Sequence, residues 1–406
     1  MSERTWTQAP TIGQRVRAAR TRQGMSLARL ADLTGLTKGY LSRVENGERS
    51  LDRRRTLLDV ADALRVPVAE LTGQPYAAET RSDQLVRVAV ADVRDALQGT
   101  ELGTAYEEPG RDLAALRHLT DRALQLSCDS AFPELGPMLP SLLTDLHGHS
   151  ATDDEQTVRQ ALPILVDVLY CAQWLSKCSG ENDLAWLASE RALAAARAAE
   201  EPTLVGFAQY LRAQSLLRVG GRARFRAAAV ARSAAEDLQP AAGPGPSGEV
   251  YGSLHLTAAW AQTVAGQPTR ADEHLVEAGE TAARTGNGQA FQLWFGPNNT
   301  RAWLVSMAVE RGEGGRVLEM AAAVDRAALP SRGRRANHCV DVGRGLAQET
   351  KTRPQAIEWY LRAERLAPML VRMDPFVRES VGDLLHTEGG DQVRSLARRM
   401  GLVPSV

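Results

Sequence analysis

The side chains able to do chemistry in this chain are dominated by one group, the guanidinium. Of the 48 basic residues in the 406-residue sequence, all but Lys38, Lys177 and Lys351 are arginine. A guanidinium stays charged at physiological pH and presents a planar fork of donors to phosphate or carboxylate, so it binds anions and makes a poor general base. The densest run, Arg53-Arg54-Arg55, reads either as a solvated helix face or as an anion contact. Groups that break bonds are not arranged to do so. The sequence holds no GxxxxGK[ST], no GxGxxG after a strand, no HExxH and no GxSxG, so no enzyme, catalytic residue or cofactor is expected. His147 and His149 are the one close histidine pair, and no cysteine or carboxylate stands beside them at ligand spacing, so no metal is expected. Cys171 and Cys178 lie seven residues apart on a helical stretch and share a face, as two buried thiols or, on a sharper reading, a redox switch. The four cysteines form no CxxC, which fits a reduced chain.

The charges are unevenly placed. Residues 1–75 carry 13 basic and 8 acidic side chains, a net of +5, while the rest of the chain nets −6. A basic head on an acidic body fits a head that meets an anion. The overall charge of −1 makes any anion-binding surface local. With 44% apolar and 24% charged residues, the composition is that of an ordinary globular protein. No stretch reaches the roughly 20 apolar residues of a membrane span, and the first residues lack the apolar core of a signal peptide. A cytoplasmic chain with no membrane partner is expected.

The elements that would position the basic residues follow from periodicity. Ile12, Val16 and Ala19 recur at helical spacing up to Gly24. Ser26 can cap a second helix with Leu27, Leu30 and Ala31 inward, and Gly35 breaks it. Thr37 can cap a third, with Leu41 and Val44 buried and Asn46-Gly47 as its stop. A fourth runs from about Asp52 to Leu64, and Pro67 opens a short fifth through Leu71. Two short helices around a glycine turn, inside a small bundle, are a helix-turn-helix arrangement.

The stretch MSLARLADLTGLTKGYLSRVENGERS resembles the lambda-repressor-like (Cro/XRE) DNA-binding domains across residues 12–73. Carried over position by position, the resemblance implies a five-helix DNA-binding domain at 1–74, with Thr37–Asn46 as the recognition helix in the major groove. Thr37, Lys38, Gly39, Ser42 and Arg43 would face outward. Arg43 is the leading base reader, because its fork fits O6 and N7 of guanine; Lys38 and Ser42 would meet a base or a phosphate. Thr37, Asn46, Arg49 and Arg53, Arg54 and Arg55 are phosphate candidates, which set register without reading sequence. Tyr40 either packs on the turn or reaches a phosphate. Leu27 stands where the family often has a backbone-touching glutamine, a contact leucine cannot make. Arg20 and Glu45 match a structural ion pair of the family, tying the first helix to the third.

After a linker at 75–82, residues 83–406 read as alanine-rich helices separated by short breaks, an α-solenoid. Ala356, Tyr360, Ala363 and Pro368 fit the second helix of the tetratricopeptide repeat, and Ala271, Leu275 and Ala278 fit it in part. The Pro- and Gly-rich stretch Gln239–Gly248 is expected to be a mobile surface loop. The whole chain is thus expected to be all-α, a lambda-repressor-like head followed by a tetratricopeptide-like solenoid. That plan resembles the XRE regulators of actinomycetes with C-terminal tetratricopeptide domains and the RRNPP regulators. The stretches FGPNNTRAWLVSMAVERGE and AIEWYLRAERLAP carry the closer resemblance.

Candidate ligand contacts are Trp294, Asn298, Asn299 and Arg301, with Asn337 and His338 as polar neighbours and Tyr210 and Trp174 lining an earlier part of a groove. Asn298 and Asn299 serve equally as helix caps. Cro-like heads pair on half-sites about 34 Å apart, so a homodimer on an inverted-repeat duplex operator is expected, with a peptide or small-molecule effector acting on the solenoid. The alternative is a DNA-tethered scaffold whose solenoid docks a protein partner.

Overall fold

Thr11 opens the first helix of a computed structural model that describes residues 10–78 and 80–403. The beginning of the expected head, Glu79 of the expected linker and the last three residues lie outside the described residues, as does the start of the segment read for a signal peptide. Thr11 and Gln14 form a reciprocal cap, the Thr11 hydroxyl accepting from Gln14 N–H and the Gln14 side chain accepting from Thr11 N–H. The helix α1 (Ile12–Arg22) is followed by α2 (Leu27–Thr34), α3 (Lys38–Glu45), α4 (Arg54–Leu64) and α5 (Val68–Thr72). Ile12, Val16, Leu30, Leu41, Val44, Leu57, Val60, Leu64 and Leu71 form one core, with Met25, Leu27 and Tyr40 packed against it. Gly13 is required by a close approach: a Cβ there would fall inside the Val44 carbonyl, so glycine lets α1 lie directly on α3. Gly13→Ala is expected to push the two helices apart at a cost of about 1–3 kcal/mol. Thermal unfolding of the full chain measures it, and an unchanged midpoint would contradict the close approach.

The remaining helices are α6 (Arg81–Gly99), α7 (Leu113–Cys128), α8 (Phe132–Leu135), α9 (Leu139–Ser150), α10 (Glu155–Cys178), α11 (Asn182–Ala198), α12 (Pro202–Val219), α13 (Ala223–Leu238), α14 (Pro246–Val264) and α15 (Pro268–Thr285). Then come α16 (Pro297–Arg311), α17 (Val317–Ala322), α18 (Arg332–Ala347), α19 (Arg353–Leu366), α20 (Pro368–Arg372), α21 (Pro375–Thr387) and α22 (Asp391–Arg399). Among the described residues there is no strand, only an isolated bridge between Glu101 and Thr104, and no helix is long and apolar enough to cross a membrane.

By contacts the chain forms two compact units that do not follow chain order. One joins the head, Met1–Glu79, to Leu304–Val324 and Arg335–Val406; the other is Thr80–Trp303 with Asp325–Arg334. The boundaries expected at 74 and 83 track the sequence, whereas buried side chains described below draw the last helices to the head.

In the second unit each helix from α10 to α15 packs on its sequence neighbour, and α12 also packs on both α10 and α14. That is the stacking of helix pairs in a solenoid. Small residues make the close packing possible: Ala185, Ala188, Ala192, Ala195 and Ala196 on α11 and Ala227, Ala231 and Ala235 on α13 are buried. In the first unit, Ala356, Tyr360 and Ala363 are fully buried on α19. The Tyr360 ring fills the space left by Gly343 of α18, and its hydroxyl donates to Ser380 Oγ of α21 at 2.9 Å, so the bulky position bridges helices as its pattern implies. The stretch 239–248 departs from expectation. A 3-10 turn covers Gln239–Ala241 and α14 begins at Pro246, leaving Gly248 buried inside a helix. Proline suits the first turn, where its missing N–H is no loss.

Candidate nucleic-acid interface

Gly35 adopts a left-handed backbone (φ +68°) at the end of α2, which lets the chain reverse within two residues. The Thr37 hydroxyl then accepts from Tyr40 N–H at 3.1 Å and starts α3. One face of α3 is spent on the core: Leu41, Val44 and Glu45 are buried. The other face carries Lys38, Gly39 and Arg43, all exposed, with Ser42 half-buried. Thr37 and Asn46 mark the two ends of the helix and are exposed too. Tyr40 packs on the core beside the turn, where burial raises the pKa of its hydroxyl, and the Arg49 guanidinium lies 5.0 Å from its ring centroid.

The register of α3 is set by a bidentate pair. Arg20 Nε and Nη2 donate to the two carboxylate oxygens of Glu45, each at 2.7 Å, and Arg20 Nη1 donates to the Met25 carbonyl at 2.7 Å. The pairing strengthens the guanidinium's hold on its proton, so Arg20 is firmly charged. Glu45 is buried and Arg20 nearly so, as their assignment to structure requires. The same register places one basic residue that the motif reading did not single out. Arg17, one turn before Arg20, brings Nη1 to 3.5 Å from Asn46 Oδ1, at the end of α3. Once Arg20 is paired with Glu45, helical spacing alone puts Arg17 next to Asn46. The exposed basic residues on and around α3 thus include Arg17, Lys38, Arg43, Arg49 and Arg55, interrupted by Glu48, whose carboxylate lies 3.5 Å from Asn46 Nδ2.

The arginine run divides. Arg55 is exposed and 3.7 Å from Asp59 one turn on, and Arg53 is half-buried at the cap of α4. Arg54 is a correction to the expected phosphate set, because it is buried and turned inward. Its backbone N–H donates to Glu310 Oε2 at 2.7 Å and its guanidinium stacks 4.8 Å from the Phe376 centroid. Arg344 meets the same ring, 4.5 Å from its centroid, and donates from Nη2 to Glu310 Oε1 at 3.0 Å and to the Asp52 carbonyl at 2.7 Å. A carboxylate from α16 thus caps α4, which lacks a side-chain cap of its own, and this delays the helix from the expected Asp52 to Arg54. Further along, Glu379 accepts from the Ile12 N–H at 3.0 Å, and burial with Asp383 beside it raises its pKa to about 7. Gln74 donates to the Met373 carbonyl at 3.1 Å. None of these long-range partners carries a local sequence signal.

The ligand candidates are scattered. Asn298 is spent on its own chain, its Nδ2 donating to the Asp325 carbonyl at 2.8 Å and its Oδ1 accepting from Asp325 N–H at 2.9 Å. Asn299 donates to the Leu293 carbonyl at 3.1 Å and accepts from Arg334 Nε at 2.6 Å. Both were expected to cap a helix or meet a ligand; they tie loops instead, because every polar atom of their amides already has a backbone or guanidinium partner. Arg301 is exposed on α16. His338 is fully buried and Asn337 half-buried on α18, so His338 is out of a ligand's reach. Trp174 is covered by the Lys177 ammonium, 4.4 Å from the ring. Trp294 hydrogen-bonds Cys128, and Tyr210 joins a stack of aromatic rings. His147 and His149 each bond a backbone carbonyl, of Leu143 and Arg111, at 2.7 Å. None of the four cysteines forms a disulfide, and burial pushes the Cys171 thiol well up from its ordinary range.

A helix-turn-helix domain family matches residues 11–72. The HTH-type transcriptional repressor RghR of Bacillus subtilis is 32% identical over 57 residues, which are 14% of this chain and 42% of that protein's length. The crystal structure of Bacillus thuringiensis PlcR with the peptide PapR7 and DNA covers 68% of this chain and 95% of its own at 14% identity. Its TM-score is 0.31, a likeness too distant to bear on function. The family match falls on the segment where α2 and α3 meet at Gly35, Thr37 caps α3, and Arg20 of α1 locks α3 in register: residues 11–72 of this chain are a helix-turn-helix domain.

Proposed function

We propose that this chain is a bacterial transcriptional regulator that binds duplex DNA through α3, works in the cytoplasm as a homodimer on an inverted repeat, and responds through its helical body to a peptide or small-molecule effector. In this reading residues 1–74 contact DNA and residues 83–406 sense and dimerise. The observation that carries it is the division of α3, with Leu41, Val44 and Glu45 spent on the core while Lys38, Ser42 and Arg43 are left to the surface. A helix so anchored can enter a major groove without giving up packing. Arg43 then reads guanine, and Lys38 and Ser42 meet a base or phosphate. Thr37, Asn46, Arg49, Arg53, Arg55 and, newly, Arg17 flank it as phosphate contacts. An effector acts only if it binds two states of the dimer unequally.

The test is direct. Wild-type protein is expected to bind a set of genomic sites with a steep salt dependence, as released counterions require. Arg43→Ala is expected to cost about 1–3 kcal/mol at those sites and to relax base preference at one position, with an unchanged thermal midpoint. Footprinting across the genome reads both. Retained preference in the Arg43 variant would remove it from the reading role, and salt-insensitive or absent DNA binding by the wild type would end the proposal.

A further inference from the structure

One segment of the second unit is built unlike its surroundings. Between α15 and α16, three residues with large side chains take left-handed backbone: Phe291 (φ +50°), Gln292 (φ +59°) and Trp294 (φ +52°). Such conformations are strained for residues other than glycine and persist only where neighbouring contacts hold them. The two ends are pinned. Gly288 N–H donates to the Phe295 carbonyl at 2.8 Å, Ala290 N–H donates to Glu249 Oε2 at 2.7 Å, and the Leu293 carbonyl accepts from Asn299. Phe295 is fully buried in the space that Gly252 leaves open.

The middle rests on a ring. Phe291 lies on Phe207 with centroids 4.5 Å apart and planes 17° from parallel. Phe207 stacks in turn with Tyr210 at 6.3 Å and is met edge-on by Tyr170 at 5.7 Å. Phe207 is fully buried, while Phe291, Tyr170 and Tyr210 are half-buried. Burial raises the Tyr210 hydroxyl to about 12, so that face is neutral. Gln292 and Trp294 both touch the Cys128 thiol at the end of α7.

A core ring carried by a helix needs no strained backbone; this one is delivered by a strap that holds three left-handed residues. We propose that the aromatic face of Tyr170, Phe207 and Tyr210 is a subsite for a ligand presenting a planar aromatic ring, and that Phe291 is its built-in stand-in. An entering ring restores the stack, and the strain released from residues 291–294 favours the exchange. This names the ligand class of the effector reading above and rests on it.

The test uses the full chain with 1-anilinonaphthalene-8-sulfonate as the probe and hydrogen exchange as the second readout. In the wild type, amides of residues 289–294 are expected to exchange at least 10-fold faster than those of α14 and α16. Phe291→Ala vacates the face and is expected to bind the dye at least 10-fold more tightly, at one site per chain. Gln292→Cys puts a thiol on the strap residue whose side chain reaches Cys128, and peptide mapping confirms the disulfide. Oxidised with glutathione disulfide, it pins the strap, and dye binding and strap exchange should both fall at least 10-fold until dithiothreitol restores them. Equal dye affinity in the oxidised and reduced forms, or a strap exchanging no faster than its flanking helices, overturns the proposal even if Phe291→Ala fails to fold. Neither readout involves DNA, so failure here and failure of the regulator reading are told apart.

Discussion

Glu310→Ala is expected to lower the thermal midpoint of the full chain by roughly 5 °C, from a cost of about 3–5 kcal/mol. The Glu310 side chain is 1% exposed and faces two guanidinium groups that are themselves buried, Arg344 at 7% and Arg54 at 10%. Those two cations flank a single ring, Phe376, and a ring face attracts cations without neutralising them. With the carboxylate gone, both positive charges stay desolvated beside each other, and α4 loses the acceptor for its first N–H. Asp341, 4.0 Å from Arg344, recovers part of the loss. Glu310→Gln keeps an acceptor for the Arg54 N–H and removes only the charge, so its midpoint should fall between the two. Because α4 follows the turn after α3, DNA affinity at a temperature near the new midpoint should drop with the fold. Calorimetry of the three proteins decides it, and an alanine variant that melts with the wild type would show that the buried cluster is not ionic.

Arg20→Ala is expected to loosen the head by a comparable amount, about 3–5 kcal/mol. Two hydrogen bonds of 2.7 Å to Glu45 and one of 2.7 Å to the Met25 carbonyl vanish together, and the Glu45 carboxylate, 5% exposed, is stranded at the end of α3. The loss falls on the contact that sets the register of α3 against α1, so Arg17 and Asn46 should separate and exchange protection of α3 should fall first. Arg20→Lys keeps a charge but not the planar fork and should recover only part. Circular dichroism melts and hydrogen exchange read the effect. A variant that keeps its midpoint and loses only DNA affinity would move Arg20 from the core pair to the interface.

The head was legible because its signals are local. Ser26, Gly35, Thr37 and Asn46-Gly47 each act on the backbone within four residues, so caps and turns fall where the chain places them. The alternation of Leu41 and Val44 with Lys38 and Arg43 likewise follows from helical period. The body was legible as helices for the same reason. What was not legible shares one cause. Arg53, Arg54 and Arg55 are identical letters in a row, and only the arrival of Glu310, 256 residues away in sequence from Arg54, turns the middle one inward. Asn298 and Asn299 looked available because their partners, Asp325 and Arg334, lie 27 and 35 residues on. The strap at 291–294 left no mark either, since the partners of Phe291 and Trp294, Phe207 and Cys128, are remote in sequence.

Sequence alone therefore determined that the chain is all-helical, that its basic head holds a helix-turn-helix, and which side chains of α3 face away from the core. Those are properties of periodicity and local hydrogen bonding, and they do not depend on what folds nearby. Tertiary structure decided which arginines remain outside, that the last helices close on the head around Phe376, and that Phe291 covers an aromatic face. Each of these depends on burying a charge or a ring against residues remote in the chain, and the energy of burial is defined only once those residues have met.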